Sequence, residues 1–512
     1  MPLVSDRDID TLLSTYLRDR PLLEKLDRYH QGKHDPPFIP QHASEEYKKV
    51  ASRSYTNFMR NGVNIPTQTL FVDGFREHHQ GQEPSTVASG PRWDCWQRSR
   101  GDMIQTMVHA GAFVFGYSLT SSARDPKTGK ARIRGISALK SSAIFDDPAN
   151  DIVPRAAIEV VEDESETFIN GKTGITPGTA RVWGATHEEV ISFWTARNGN
   201  RQFTRVSARP HGAKSCPITR FAASLDLEGR CIGIVEPLIE LQDRINQSVH
   251  DLLVAQLYTS HQVRTATGLT GVVKQEVIFA RDAEGRYIYG EDGNPVIADI
   301  RDKIGPDGQP ELREANISAA HMLISEDKDT KFGTLPGAPL EGFISSINMS
   351  IRHFATLSAT PPHYMMGAIT NISADALQAA EIALKRKIDA FKIMFGESWE
   401  RTVNVAAEVD GLDATEDEKL ETLWRDMEGQ SFARMADALL KLKELNIPAQ
   451  ALWSMLPNVT ATQLESWKRL IDENPDEILA SAMQKGAEAI RPDGRQPTDP
   501  GASDANADPE LE

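Results

Sequence analysis

The residues whose types and spacing invite a chemical reading are few, and each lacks a group that its chemistry needs. Asn170-Gly171-Lys172-Thr173 has the ending of a phosphate-binding loop, in which glycines let backbone amides cradle a phosphate. That loop requires another glycine five residues before Gly171, and Glu166 stands there, a carboxylate that repels the ligand. A β-turn is the better reading. Gly129-Lys130 fails in the same way, with Arg124 in the glycine position. Gly116-Tyr117-Ser118-Leu119-Thr120 is one glycine short of a nucleophile elbow, whose strained turn demands a small residue where Thr120 sits. His30 and His34 are four apart, but Gly32 and the prolines Pro36 and Pro37 argue against one continuous helix through them. His78 and His79 are adjacent and cannot face one way on a helix. No carboxylate or cysteine constellation accompanies either pair, so neither reads as a metal site. The acidic run from Asp410 to Glu418 lacks the oxygen spacing of a calcium loop and reads as a solvated turn into a helix. Cys95, Cys216 and Cys231 cannot all pair, show no CxxC spacing, and are expected reduced and mostly buried. The sequence therefore offers no catalytic residue, no metal-ligand set and no cofactor site.

Composition narrows the class instead. A chain of 512 residues exceeds what one core usually serves, so two or more folding units are expected. Hydrophobic residues make up 40% and charged residues 25%, ordinary for a globular protein, and mean hydropathy is -0.40. No apolar run approaches the roughly 20 residues that cross a bilayer, and the first residues lack the apolar stretch of a secretory signal. A cytosolic origin without membrane attachment is expected. The net charge of -17 opposes a domain that grips DNA, since such affinity comes from clustered Lys and Arg neutralising phosphates. It is compatible with a conduit, because a strongly basic wall would hold a polyanion where a weakly repelling one lets it slide.

The elements around these residues read as an α+β chain. Residues 1–30 carry apolar positions at Leu12, Leu13, Tyr16, Leu17, Leu22, Leu23, Leu26 and Tyr29 with helical spacing, broken or kinked at Pro21. From about 60 to 230, short β-like runs (69–72, 112–117 and 157–161) alternate with loops, interrupted by one helix from Trp93 to Ala110. A long helix opens at Glu236-Pro237, its apolar stripe running through Leu238, Leu241, Ile245, Val249, Leu252 and Leu257. Turn signals at 282–285, 291–294 and 305–308 flank the strand-like Arg286-Tyr287-Ile288-Tyr289, which marks a small β-hairpin module between helices. A second helix spans about 341–358, striped by Ile344, Ile347, Ile351, Phe354 and Ala355 and stopped at Thr360-Pro361-Pro362. Ser373 would cap a very long helix to about 409, striped by Leu377, Ala380, Leu384, Ile388, Phe391, Phe395, Trp399, Val403 and Ala406, with a bend at Gly396. Two or three more helices are expected over 416–485, including the runs 435–445 and 464–470. A disordered tail is expected from about Arg491.

Three blocks stand out on these elements: Tyr29-His30-Gln31-Gly32-Lys33-His34-Asp35-Pro36-Pro37, then Cys216-Pro217-Ile218-Thr219-Arg220-Phe221 with Gly233-Ile234-Val235-Glu236-Pro237 and Leu241-Gln242-Asp243-Arg244-Ile245-Asn246, then Thr360-Pro361-Pro362 to Gly367 with Asn371-Ile372-Ser373-Ala374-Asp375-Ala376-Leu377. Ala380-Glu381 and Phe395-Gly396-Glu397 continue the last. Together they resemble the portal proteins of siphophages, particularly the large family from phages and prophages of Gram-positive hosts. The resemblance covers about residues 10–410. The sequence departs from the family pattern at Ile234 and, loosely, over Phe115 to Ser118.

The resemblance implies a non-enzymatic portal-type subunit. Residues 1–230 would form most of an α/β wing, 231–264 and 323–359 two stem helices, and 265–322 a β-containing clip between them. Residues 360–372 would be a tunnel loop, 373–410 a long wing helix, 411–485 a helical crown and 486–512 a disordered acidic tail. His363, Tyr364, Met365, Met366, Gly367, Ala368, Ile369, Thr370 and Asn371 would line the narrowest part of a channel. Arg286, Tyr287, Tyr289, Asp292 and Asn294 would form the docking surface of the clip. The partners implied are further copies of the chain in a ring of about a dozen, double-stranded DNA passing without sequence specificity, the terminase, a head–tail connector, and the major capsid and scaffold proteins. The place implied is the portal vertex of the virion, after assembly in the host cytoplasm. The stem helices, with an apolar stripe toward neighbours, would leave a polar stripe for the bore. A different minor head protein, or a cytosolic enzyme with an unrecognised site, are the competing readings.

Overall fold

The structure is a computed structural model that describes residues 3–41, 45–78, 85–87, 91–169, 172–196, 201–260, 264–267, 275–290, 294–304, 331–334, 339–367, 374–412, 419–425, 439–443 and a few positions between 452 and 470. They form the mixed α+β chain that the sequence leads one to expect. In chain order come α1 (Asp6–His30), α2 (Glu45–Ala51), α3 (Phe58–Thr69), β1 (Val72–His78), β2 (Ser85–Val87), α4 (Pro91–Ser99), α5 (Gly101–Phe115), β3 (Tyr117–Arg124) and β4 (Ala131–Ser137). Then follow β5 (Ser141–Ile144), β6 (Ala156–Glu162), β7 (Ser165–Ile169), β8 (Lys172–Thr176), β9 (Gly178–Trp183), β10 (His187–Thr195), β11 (Arg201–Pro210) and β12 (Ile218–Ala222). The remainder holds α6 (Ile239–Ser260), β13 (Arg264–Thr267), β14 (Gln275–Phe279), β15 (Ile297–Asp302), β16 (Lys331–Thr334), α7 (Glu341–Leu357), α8 (Pro362–Met366), α9 (Ala374–Val409) and β17 (Lys419–Trp424).

The chain divides into two compact units. One gathers the described residues of Met1–Asp27, Asn61–Glu236 and Ala374–Glu512, the other those of Arg28–Arg60 and Pro237–Ser373. Residues 28–60 thus cluster with α6 and α7, although the sequence reading groups them with 1–230.

In the first unit, an antiparallel sheet of order β11-β10-β9-β6-β5 packs one face against α1. Ile9, Leu12, Leu13 and Tyr16, one stripe of the helix, meet Ile158, Val160, Ala180, Val182, Ile191 and Phe193, alternate residues of three strands. Each large side chain so buried contributes roughly 1.5–3 kcal/mol. That packing keeps α1 helical through Pro21, so of the expected break or kink the break does not occur. Leu23 and Leu26 beyond it are buried too, and their packing offsets the lost backbone hydrogen bond.

A second sheet, β12-β3-β4, lies against α4, α5 and α9. Ile388, Phe391, Phe395, Trp399, Val403 and Ala406 of α9 are buried as their spacing leads one to expect, whereas Ala380 is exposed and Leu384 half-buried. Gly396, expected as a bend, sits inside an uninterrupted helix. Trp93 to Ala110 is two helices and not one, separated by Arg100 in the left-handed region at φ 60°. The run 112–117, read as a strand, is mostly the last turn of α5. Ala112, Phe113 and Val114 are all buried there, and a run buried on every side has no amphipathic period to reveal a helix. Thr69 likewise ends α3, and the strand starts only at Val72.

Residues 419–424, placed among the C-terminal helices by the sequence reading, form the edge strand β17 paired antiparallel with β1. Its partner lies about 345 residues earlier (Arg76 meets Glu421 at 3.3 Å), so nothing local announces it. The other helices expected over 416–485 fall mostly outside the described residues, with 439–443 helical, and the C-terminal tail lies wholly outside.

In the second unit α6 and α7 lie against each other, joined by a 3.0 Å hydrogen bond from the Arg244 guanidinium to His353 Nδ1. β13 pairs with β16 and β14 with β15. The strand expected at Arg286–Tyr289 makes only isolated bridges, Tyr287 to Arg281 and Tyr289 to Pro295, and the ladder is built instead from residues 275–279 and 297–302.

Candidate functional site

Two of the blocks that carry the resemblance meet in the second unit. Gly32, at φ 83°, turns the chain sharply after α1, a backbone state that glycine adopts without the Cβ penalty. The turn lays residues 29–38 along the first turns of α6. The Tyr29 phenol donates to the Asp243 carboxylate, with oxygens at 2.9 and 2.8 Å. Burial, then the bond to Asp243, pushes the Tyr29 pKa far above its usual range, so the proton stays on the phenol, while burial also raises that of Asp243. The Phe38 amide donates to Gln247 Oε1 at 2.7 Å.

Behind this pair runs a chain of hydrogen bonds whose directions are fixed by backbone groups. The Phe58 amide donates to Gln242 Oε1 at 3.1 Å, and Gln242 Nε2 donates to the Thr56 carbonyl at 2.7 Å and to Asn246 Oδ1 at 3.0 Å. With its oxygen so engaged, Asn246 presents Nδ2–H to His34 Nδ1 at 3.0 Å. His34 Nε2 is 3.1 Å from the Tyr29 carbonyl, an acceptor only, and must donate to it. The imidazole is therefore neutral and protonated on Nε2. Burial lowers its pKa, opposed by the Tyr29 carbonyl, the charge of Asp243, a hydrogen bond with the Asn57 side chain and the charge of Asp35.

Gln242, Asn246 and His250, spaced by four, are each 0% exposed. The most buried face of α6 is thus partly polar, and of the expected apolar stripe Leu241 and Val249 are only half-buried. A sequence reading that turns polar residues outward misplaces this face. The signal that could have found it is the pair Gln242-x3-Asn246 itself, two amides able to bond each other along one helix face, since buried polar groups are those whose hydrogen bonds are met.

The expected channel segment begins as a turn of helix and not as a loop. Pro362 opens α8 in the position that proline favours, and Gly367 closes it at φ 67°. His363 and Met365 are buried, Met366 is half-buried, Tyr364 is 46% exposed and Gly367 is exposed. Ala368, Ile369, Thr370 and Asn371 lie outside the described residues, as does Ser373. Of the expected docking surface, Arg286, Tyr287, Tyr289 and Asn294 are exposed, while Asp292 lies outside. The Arg281 guanidinium lies 4.7 Å over the Tyr287 ring and donates to its hydroxyl at 3.0 Å. Phe279 meets the same ring edge-on, leaving Tyr289 presented at 61% exposure.

No cluster of three or more metal-ligating side chains occurs among the described residues. Lys172 opens β8, paired at Ile169 with β7, so the segment that resembles a phosphate loop is a hairpin whose turn residues 170 and 171 lie outside the described ones. Ser118 and Thr120 lie within β3, where Ser118 donates to the Val108 carbonyl and Thr120 bonds Thr402, so no elbow forms. Cys95 and Cys216 are buried and Cys231 half-buried, all as thiols whose pKa burial raises.

The sequence is similar to those of known proteins. It is 24% identical over 426 residues to the portal protein of Mycobacterium phage L5, covering 81% of this chain and 77% of that one. It is 23% identical over 447 residues to the portal protein of Mycobacterium phage D29, covering 85% and 81%. The family model described as phage portal protein, SPP1 Gp6-like, matches residues 9–476, so the chain belongs to the SPP1 Gp6-like phage portal protein family.

Proposed function

We propose that this portal subunit assembles with further copies of itself into a ring of about a dozen at one capsid vertex, forming the channel through which double-stranded DNA is packaged and ejected. The observation that carries the reading is the family match across residues 9–476. The geometry of the second unit supports it, with α6 and α7 side by side and the β14–β15 hairpin in the chain between them. In this reading α6 and α7 are the stem, the hairpin module is the clip, and most of 1–230 together with α9 is the wing. Residues 411–485, apart from β17, which pairs with β1, would be the crown, followed by the tail at 486–512.

The buried polar face of α6 changes one part of the picture. Gln242, Asn246 and His250 are covered by residues of 28–60 and by α2, so a bore would be lined from another face of the stem. The turn at 29–38 acts as a buttress that sets the rotation of α6 about its axis. Tyr287, Tyr289, Arg286 and Asn294 offer the aromatic and polar mixture that protein interfaces favour, which suits docking of a terminase and then of a head–tail connector. The ring does no chemistry of its own, and ATP hydrolysis is supplied by the terminase. DNA slides past without sequence readout, helped by the net charge of -17. No described helix is long and apolar enough to cross a membrane.

The test is the mass of the purified chain in solution, with negative-stain images of the same sample. Rings with a central hole are expected, from the chain alone or on co-expression with capsid and scaffold proteins. A monomer under both conditions overturns the reading.

A further inference from the structure

We propose that His34 is a proton-operated latch, which holds the 29–38 turn on α6 while the imidazole is neutral and releases it when the ring takes up a second proton. The inference does not depend on ring assembly.

It rests on which groups can turn round. His34 Nδ1 is an acceptor only because Asn246 Nδ2 donates to it at 3.0 Å. A proton on Nδ1 would face that N–H donor to donor, and the ordinary relief is to flip the amide. Here the flip is blocked. Asn246 Oδ1 already accepts from Gln242 Nε2, and Gln242 is itself held the right way round by the Phe58 amide on its oxygen and the Thr56 carbonyl on its nitrogen. Two backbone groups thus dictate, through two side-chain amides, that the imidazole stays neutral. At the other edge Nε2–H is committed to the Tyr29 carbonyl.

The charged and titratable groups around the ring do not supply another acceptor. From α6 comes Asp243, whose two oxygens hold the Tyr29 phenol. From the turn come Asp35, paired with Arg28 at 2.9 Å, and the Tyr29 phenol itself. From the segment after α2 comes Tyr55, edge-on to the imidazole at 6.2 Å. The two carboxylates and the Asn57 side chain, which hydrogen-bonds the imidazole, soften the cost of a positive ring but do not remove the clash at Nδ1. Burial holds the folded imidazole below its ordinary 6.5. The opened turn therefore binds the proton first as pH falls, and acid favours opening.

The experiment uses the full chain. Exchange at the imidazole C2–H, read by mass spectrometry, gives the His34 midpoint, and amide exchange over the same pH range gives protection factors for 29–38. The latch requires that protection falls at least tenfold between pH 7.5 and 5 and tracks the His34 midpoint. His34→Gln should abolish that pH dependence. Asn246→Asp should accept from the imidazolium, raise the His34 midpoint by about one unit or more, and keep the turn protected in acid. Protection that is flat while His34 titrates overturns the latch, as does an unchanged pH profile in His34→Gln. If either variant fails to fold, the coincidence of midpoints in the unaltered chain still decides.

Discussion

The Tyr29 hydroxyl sits within 2.9 Å of both carboxylate oxygens of Asp243, joining residues 214 apart in sequence. The bond closes the turn against α6 with a charged acceptor, the stronger kind of hydrogen bond. Tyr29→Phe keeps the ring and removes the donor. It should destabilise the second unit by about 1.5–3 kcal/mol, the usual range for a bond to a charged group, read as a lower denaturant midpoint with unchanged m-value. No change would mean that water replaces the phenol without cost.

Gln242 stands at the centre of the amide relay, with Phe58, Thr56 and Asn246 as partners and 0% exposure. Gln242→Ala would leave the part-buried Phe58 amide and Thr56 carbonyl without their partner and remove the donor to Asn246, each lost bond costing about 0.5–1.5 kcal/mol. The expected result is a larger loss than Tyr29→Phe causes, with faster amide exchange over 54–60. Gln242→Glu should be worse than Gln242→Asn near neutral pH, because a carboxylate cannot donate to Thr56.

In the first unit Trp399 Nε1 donates to His109 Nε2 at 2.9 Å, and the imidazole stacks on Phe395 at 4.9 Å between centroids. Burial drops the His109 pKa to about 3. The unfolded chain then takes up this proton near 6.5 and the folded chain only near 3, so stability is full above 6.5 and declines as pH falls between those values. His109→Phe should flatten that decline. Combined with Trp399→Phe it should cost less than the sum of the single changes, by about 0.5–3 kcal/mol of coupling, because the pair then leaves no orphaned indole N–H. Additive losses in a thermal-melt cycle would rule out coupling through this bond.

Gly116 adopts φ 91°, and a Cβ built there would lie 2.5 Å from the Cys231 carbonyl oxygen. Both the backbone region and the space therefore exclude a side chain. Gly116→Ala should lower stability by more than the ~1 kcal/mol of a simple glycine effect, whereas Gly129→Ala, with open space but φ 70°, should show conformational strain alone. Equal melting temperatures for the two variants would contradict the close approach.

Removal of residues 268–318 tests the hairpin module. Ring particles should survive in negative stain, while co-sedimentation with the terminase is lost. Loss of soluble rings instead would make the module part of the core and not a docking arm. Tyr289→Ser is the finer probe, since that ring is 61% exposed and its loss should weaken docking without changing the melting temperature.

Part of this structure was legible in advance, and the reasons are local. The helical stripe from Ile388 to Ala406 repeats at 3.6 residues and is buried as read. Pro237 and Glu341 mark helix starts to within a few residues of α6 and α7. Other parts had no local sign. β17 owes its strand state to β1, and Thr422 is fixed further by Glu400 Oε1 on its amide at 2.8 Å and by the Gly396 carbonyl on its hydroxyl at 3.2 Å. The channel segment shows both cases at once. Pro362 and Gly367 carry ordinary cap signals for a short helix, but only packing decides that His363 and Met365 turn inward while Tyr364 turns out.

The sequence by itself determined the class of the protein. Period and composition set the α+β chain, the long helices and the turn-rich segment between two of them, and the failure of each chemical motif left no catalytic constellation to propose. Tertiary structure alone decided which polar residues face inward. Gln242, Asn246 and His34 look like surface residues because hydropathy scores a side chain without its partners. Burial of these side chains becomes favourable because their donors meet acceptors: His34 meets the Tyr29 carbonyl five residues away, while Gln242 and Asn246 meet Thr56 and Phe58, 184 to 190 residues away.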